Sequence, residues 1–263
     1  MNPGPHHIVC IHAHPDDAEI LAGGTLAILA RLGERITIVT MTAGDCGSAT
    51  LEAREIASVR AQEARAAADR IGAQYRCAGF GDLAIFNDDA SRRRVTGLLR
   101  ELRPDIVLTA APSDYLCDHE ATSELVRDAC FAAAVPNYRT PGGEKPLTAI
   151  PYLYFVDPIA QRDRSGAFVK ADFTVDVSSS FETKKEMLAK HESQRAWLKQ
   201  QHGMDDYLAE MESWTRAAGE RAGVALGEGF RQYTVHPYPC DPLLQRILTA
   251  FLPHDPGGAQ RKE

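Results

Sequence analysis

Apolar and polar positions follow two rhythms along the first half of the chain. His7–His12 is a short apolar run ending at His-Ala-His-Pro, and it predicts a strand. Leu21, Thr25, Ile28, Leu29 and Leu32 then recur at helical spacing until Gly33. Residues 36–42 are β-rich and predict a second strand, bounded by Ala43-Gly44. Ala57, Ala61, Ala64, Ala68 and Ile71 form a second helical stripe closed by Gly72, and its small side chains imply close packing on a sheet. Residues 74–77 give a weak third strand, 92–102 a helix ended by Pro104-Asp105, and Ile106–Thr109 a fourth strand. Asp118 is the expected N-cap of a helix carrying Leu125, Ala129, Ala132 and Ala133. Short apolar strands alternating with helices predict an α/β fold: a Rossmann-like, doubly wound, mostly parallel sheet covered on both faces.

The second half is less regular. Residues 137–151 are rich in Gly, Pro and Thr and predict a long loop. Tyr152–Val156 and residues 173–177 are strand candidates, and residues 181–198 and 205–219 read as polar amphipathic helices. The polar tail 255–263 is expected to fray. No repeat or low-complexity block is present. The expected organisation is a Rossmann-like catalytic core over residues 1–150 and a C-terminal α+β elaboration over 151–263, packed on that core as one structural domain.

Charge and composition narrow the function classes. Lys+Arg 29 against Asp+Glu 36 leaves −7, which argues against broad electrostatic binding to nucleic acid or anionic membrane. No stretch approaches roughly 18 uninterrupted apolar residues, so no membrane span is expected. A basic segment followed by an apolar one is missing from the first residues, so no secretory signal is expected. The six cysteines (Cys10, Cys46, Cys77, Cys117, Cys130 and Cys240) are scattered without a CxxC pair. They read as reduced thiols and give a cytoplasmic expectation. The irregular second half offers a surface for self-association, so a homo-oligomer is among the expected states.

The informative segment is His12-Ala13-His14-Pro15-Asp16-Asp17-Ala18-Glu19, where the first strand gives way to the first helix. A second polar cluster, Ser113-Asp114-Tyr115-Leu116-Cys117-Asp118-His119, follows the fourth strand. In open α/β sheets ligands gather beyond the carboxyl ends of strands, so the two clusters should meet on one rim. Histidine with aspartate makes a zinc site of N and O donors, and three protein ligands with an open position is the catalytic pattern. Each piece also has a plainer reading. Asp16, Asp17 or Asp118 would serve as a helix cap, and a lone strand-end histidine would simply pack. His12 competes with His14 as a ligand, since positions i and i+2 of a strand share a face. Two adjacent carboxylates beside a histidine are more than capping requires.

The segment His14-Pro15-Asp16-Asp17-Ala18-Glu19 after an apolar strand resembles the first signature of the LmbE/PIG-L-type N-acetylglucosaminyl deacetylases. Asp118-His119 resembles that family's second motif. The similarity runs through roughly residues 7–135, including Thr42-Ala43-Gly44 and Arg60-Ala61-Gln62-Glu63-Ala64, with weaker echoes at His191-Glu192-Ser193-Gln194 and Gly227-Glu228-Gly229-Phe230. The resemblance implies His14, Asp17 and His119 as ligands of Zn2+, or of another divalent transition metal, and Asp16 as general base. It implies a small-molecule substrate: an N-acylated amino sugar or glycoconjugate, losing acetyl.

One departure matters. Many members carry histidine three residues before the second-motif ligand, and this chain has Leu116 there. Leucine cannot donate a proton or polarise an oxyanion. Either Asp16 works alone, or Asp114, Tyr115 or His236 fills in, with a tyrosine hydroxyl able to donate to an oxyanion. Asp118 would orient an imidazole or cap its helix. Arg60 would hold a polar or anionic part of the substrate, unless it is an ordinary solvated helix charge. Asp82 would bind sugar hydroxyls or shape a turn. Two other classes compete. Gly79-Phe80-Gly81-Asp82-Leu83-Ala84 matches the GxGxxG/A pattern of a nucleotide-dependent oxidoreductase, although it follows the third strand rather than the first. A non-catalytic sugar- or metal-binding module is the other. HExxH and GxSxG are both absent, which disfavours a zincin or serine hydrolase.

Overall fold

The computed structural model describes residues 4–195 and 207–253. The order is β1 (His7–His12), α1 (Asp17–Arg31), β2 (Arg35–Thr42), α2 (Ala53–Asp69), β3 (Gln74–Phe80), α3 (Asp89–Leu102), β4 (Ile106–Thr109) and α4 (Cys117–Ala133). It continues with β5 (Tyr152–Val156), β6 (Phe173–Asp176), α5 (Phe181–Leu188), α6 (Tyr207–Ala222), β7 (Gly227–Gln232) and α7 (Leu243–Ile247). One seven-stranded sheet runs β3-β2-β1-β4-β5-β7-β6. The strands from β3 to β5 are parallel, and β7 lies antiparallel between β5 and β6. The sheet therefore continues without a break past residue 150.

Every residue of β1 is buried, and the pleat divides its side chains between two cores. Ile8 and Cys10 pack with Leu26, Ala67 and Met187 of α1, α2 and α5 on one face. Val9 and Ile11 pack with Val95, Leu99, Leu125 and Val126 of α3 and α4 on the other. Burying each Ile, Leu or Val contributes about 1.5–3 kcal/mol, which is why β1 and β4 carry the apolar runs Ile8–Ile11 and Ile106–Leu108. Strand β3 reads weakly because it is an edge strand with mostly exposed or half-buried positions.

The structure corrects several details. The N-cap of α4 is Leu116, and Asp118 sits inside the first turn with its carboxylate used elsewhere. Helix α5 ends at Leu188 rather than spanning 181–198. Of that expected helix residues 196–198 lie outside the described residues, as do Asp205, Asp206 and the tail 255–263. The strand β7 was not anticipated, since its glycines argue against a strand locally. The residues matching GxGxxG/A do not open a helix, because α3 starts only at Asp89. Among the described residues no helix is long and apolar enough to cross a membrane.

A buried ion pair ties the second half to α1. Lys184 Nζ donates to Glu228 Oε1 at 2.7 Å, and the same carboxylate accepts the Gly24 and Thr25 amides at 2.9 and 2.8 Å. Close approach is possible because Gly24 has no side chain: a Cβ there would stand 2.6 Å from Val177 Cβ.

Candidate active site

Strand order reverses between β1 and β4, and loops leaving their carboxyl ends flank that crevice. The β1 loop turns sharply at Asp16, whose φ of 103° lies in the left-handed region that a non-glycine residue occupies at a cost of about 1–3 kcal/mol. That turn sends two adjacent carboxylates to different tasks. Asp16 holds the N-cap position without making a cap bond. Asp17, the first residue of α1, accepts the His14 amide at 2.8 Å through Oδ2.

His14, Asp17 and His119 bring one donor atom each within 4.8 Å of one another. His14 Nδ1 lies 3.5 Å from Asp17 Oδ2, and His119 Nε2 lies 3.4 Å from Asp17 Oδ1. The two rings meet different oxygens of Asp17, and the donor types and their closeness suit a divalent ion such as zinc. The other nitrogen of each ring faces a carboxylate of its own. His14 Nε2 is 3.1 Å from Asp118 Oδ2, and His119 Nδ1 is 3.1 Å from Asp114 Oδ1. Such pairing fixes ring orientation and raises ligand basicity at metal centres.

Electrostatics agree with a place for positive charge. Burial opposes charging His14, but its contacts with Asp118 and Asp17 outweigh this and raise the ring to about 9. His119 rises well above its usual value, with Asp17 and Asp114 overcoming burial. Asp17 is held well below the carboxylate range, because His119 and His14 overcome its own burial. His12 stands apart. It is buried, its Nε2 has no hydrogen-bond partner, and burial pushes it down to about 4.

Asp16 is buried beside this cage. Tyr207 donates its hydroxyl to Asp16 Oδ2 at 2.5 Å, and Arg60 Nη2 stands 3.6 Å from the same oxygen. Burial raises the carboxyl above its ordinary value, with Arg60 opposing and Asp17 reinforcing. Arg60 is not a solvated helix charge. It is 3% exposed and donates to the Pro15 carbonyl at 2.7 Å. Its guanidinium passes over Gly44 and Gly47, and a Cβ at Gly47 would meet Nη1 at 2.6 Å.

The other residues singled out from the sequence fall in three places. Asp118 accepts the Leu83 amide at 2.7 Å besides facing His14, and Asp114 accepts the Ile159 amide at 3.3 Å. Tyr115 is exposed at the mouth, edge-on to the His119 ring with centroids 5.4 Å apart. Asp82 also borders the cavity, accepting the Cys46 amide at 2.9 Å while its own amide donates to Asp45 Oδ1 at 2.7 Å. His236 lies elsewhere, on a separate cavity with Arg127, Phe131 and Tyr233.

Sequence reasoning missed Tyr207, which reaches Asp16 from 191 positions away, and Trp214 and Ile159 on the cavity wall. A tyrosine opening an amphipathic helix carries no local signal of such a contact. Of the two weaker echoes, the one at Glu228 has structural work. Glu228 accepts from the Lys184 ammonium as described above, and His191 is buried 3.7 Å from Glu19 Oε2 with neither ring nitrogen hydrogen-bonded.

Residues 9–130 match the family model described as PIG-L: GlcNAc-PI de-N-acetylase. A 1D-myo-inositol 2-acetamido-2-deoxy-alpha-D-glucopyranoside deacetylase of Rhodococcus erythropolis is 28% identical over 167 residues, covering 51% of this chain and 57% of that protein. The diacetylchitobiose deacetylase of Thermococcus kodakarensis is 27% identical over 198 residues, covering 71% and 69%. The crystal structure of the 4-carboxy-2-hydroxymuconate hydratase of Pseudomonas putida superposes with a TM-score of 0.71 at 22% identity, covering 90% of this chain and 99% of that one. That last likeness shows the α/β fold alone.

Proposed function

We propose, from the premise that this chain carries a PIG-L (LmbE-like) family domain over residues 9–130, that it is a zinc-dependent deacetylase. It hydrolyses the N-acetyl amide of an N-acetylglucosamine-type amino sugar or conjugate. The observation that carries the reading is the convergence of two carboxylate-backed imidazoles on Asp17, with Asp16 beside them.

His14, Asp17 and His119 would hold the ion, whose Lewis acidity brings water toward a pKa of about 7 and polarises an acyl oxygen. Asp16 takes the proton of the attacking water. A carboxyl raised by burial suits a base working near neutral pH. Its contacts with Tyr207 and Arg60 both use Oδ2, which fixes the carboxylate plane. With Leu116 in place of an imidazole, Asp16 also returns the proton to the departing amine. Arg60 braces Asp16 and the Pro15 turn rather than reaching for substrate.

A sequence likeness to the 4-oxalmesaconate hydratase of Pseudomonas putida, 26% identical over 166 residues, supports one competing reading, addition of water to an unsaturated polycarboxylate. The cavity's charge opposes it. Among the described lining residues Arg60 is the one guanidinium or ammonium, and it is already committed to Pro15 and Asp16. Amine release decides between them. The zinc-loaded protein should free the amine of N-acetylglucosamine conjugates, lose this activity on chelation and regain it with zinc. Zinc-loaded protein that releases no amine from any such conjugate would refute the deacetylase.

A further inference from the structure

The floor of the site is polar and its wall includes Asp82 and Gln194, but much of the remaining wall is apolar. Ile20, Leu116, Ile159 and Trp214 are half-buried around a cavity of about 430 Å³, and Leu83 and Tyr115 stand over it. Leu83 is 60% exposed and Tyr115 68% exposed. Leu83 is also strained, with a φ of 58° in the left-handed region where glycine or asparagine would sit more easily. Its amide is the one that holds Asp118, the carboxylate behind His14. The backbone there answers to the metal cage, yet the residue displayed is a large apolar one. Apolar side chains gathered around a cavity favour an apolar ligand there, and backbone strain of this kind clusters at ligand-binding places.

We infer that this wall is an apolar subsite, and that the substrate carries an alkyl or aryl group next to the scissile amide. This rests on the cavity being the substrate site of the proposed deacylase. The group has two sources of the same chemistry: a hydrophobic aglycone on the amino sugar, or an acyl chain longer than acetyl. A cavity of this volume falls within the roughly 300–1,000 Å³ of small-molecule sites. Apolar walls around a few fixed polar groups are the usual composition of such sites. Leu116 belongs to the same surface, because it replaces a polar group beside the reacting centre with an apolar one.

Binding tests this without depending on turnover. Calorimetry of the zinc-loaded Asp16→Asn protein, in which turnover is suppressed, would use two series below micelle formation: alkyl glucosaminides from methyl to octyl, and N-acyl glucosamines from acetyl to octanoyl. One series should tighten about threefold to fourfold per methylene until the cavity fills, with a negative heat-capacity change. The series that tightens identifies the source. Added to that chain, Leu83→Asn, which keeps the left-handed backbone, and Tyr115→Ser should each flatten that gain. Dissociation constants independent of chain length in both series would overturn the subsite, and so would an unchanged gain in both variants. Chain-length-dependent binding without amide hydrolysis by the wild-type protein would uphold the subsite and overturn the deacylase reading instead.

Discussion

Two clusters of buried charge hold this molecule together, and they are built on opposite principles. The Lys184–Glu228 pair is balanced: one cation, one carboxylate, and two helix amides on the remaining acceptor capacity. It rests on regular elements and joins α1, α5 and β7. The site at the ends of β1 and β4 is unbalanced. Asp16, Asp17, Asp114 and Asp118 are all buried there, against Arg60 and two imidazoles. Around it Glu19 Oε1, Arg60 Nε, His12 Nε2 and both nitrogens of His191 have no hydrogen-bond partner, and Asp16 is strained. Burial of charge alone therefore does not mark function. Excess acceptors, orphaned donors and strained backbone together do, because folding by itself has no use for them.

Substitutions can break this contrast, and the largest effect should come from Asp16→Asn. Asparagine tolerates the left-handed turn, so the fold and zinc content should persist while kcat/KM falls by about 10²–10⁴. Turnover near that of the wild type would remove Asp16 as the base. Glu228→Gln should do the reverse. It strands the Lys184 charge in the interior and should cost about 3–5 kcal/mol in urea unfolding, with zinc per chain unchanged. Replacing Lys184 by Met in the same chain should recover most of that loss. A single variant as stable as the wild type would show the pair to be dispensable.

The pH dependence of stability sharpens the contrast further. His12 has a folded value of about 4 against 6.5, caused first by burial. Below pH 6.5 the unfolded chain takes up a proton that the native one refuses, so stability is full above 6.5 and drains as pH falls toward 4. The loss should reach about 3 kcal/mol. A His12→Gln variant should show a shallower fall across that window, measured by urea midpoints at several pH values. An identical fall would mean that His12 is already protonated in the native state. The smallest effect is expected from Tyr207→Phe. Loss of one hydrogen bond, worth about 1 kcal/mol, lets the Asp16 pKa rise. The acidic limb of the kcat/KM profile should then move to higher pH by less than about one unit, and zinc content should stay constant. An unmoved limb would leave Tyr207 as a packing residue.

Legibility in the sequence followed burial. Strands β1, β2 and β4 were readable because both faces are covered and their positions, rich in Ile, Val and β-branched Thr, are nearly all buried. Strand β7 was hidden because Gly227 and Gly229 serve close packing rather than propensity. A Cβ at Gly227 would meet Thr174 Cγ2 at 2.6 Å. Asp118 looked like a helix cap because its type and place suit one. What it does instead is set by His14, 104 positions away.

The sequence alone determined that two histidine- and aspartate-bearing turns would share a rim. Parallel strands with right-handed crossovers leave their carboxyl ends on one side whatever the loops contain. Only the tertiary structure decided which carboxylate backs which imidazole, that Tyr207 and Arg60 meet Asp16, and that apolar side chains from separate segments gather around the cavity. Those contacts join residues far apart in the chain. They depend on how helices dock and where loops cross, and periodicity along a single segment does not record either.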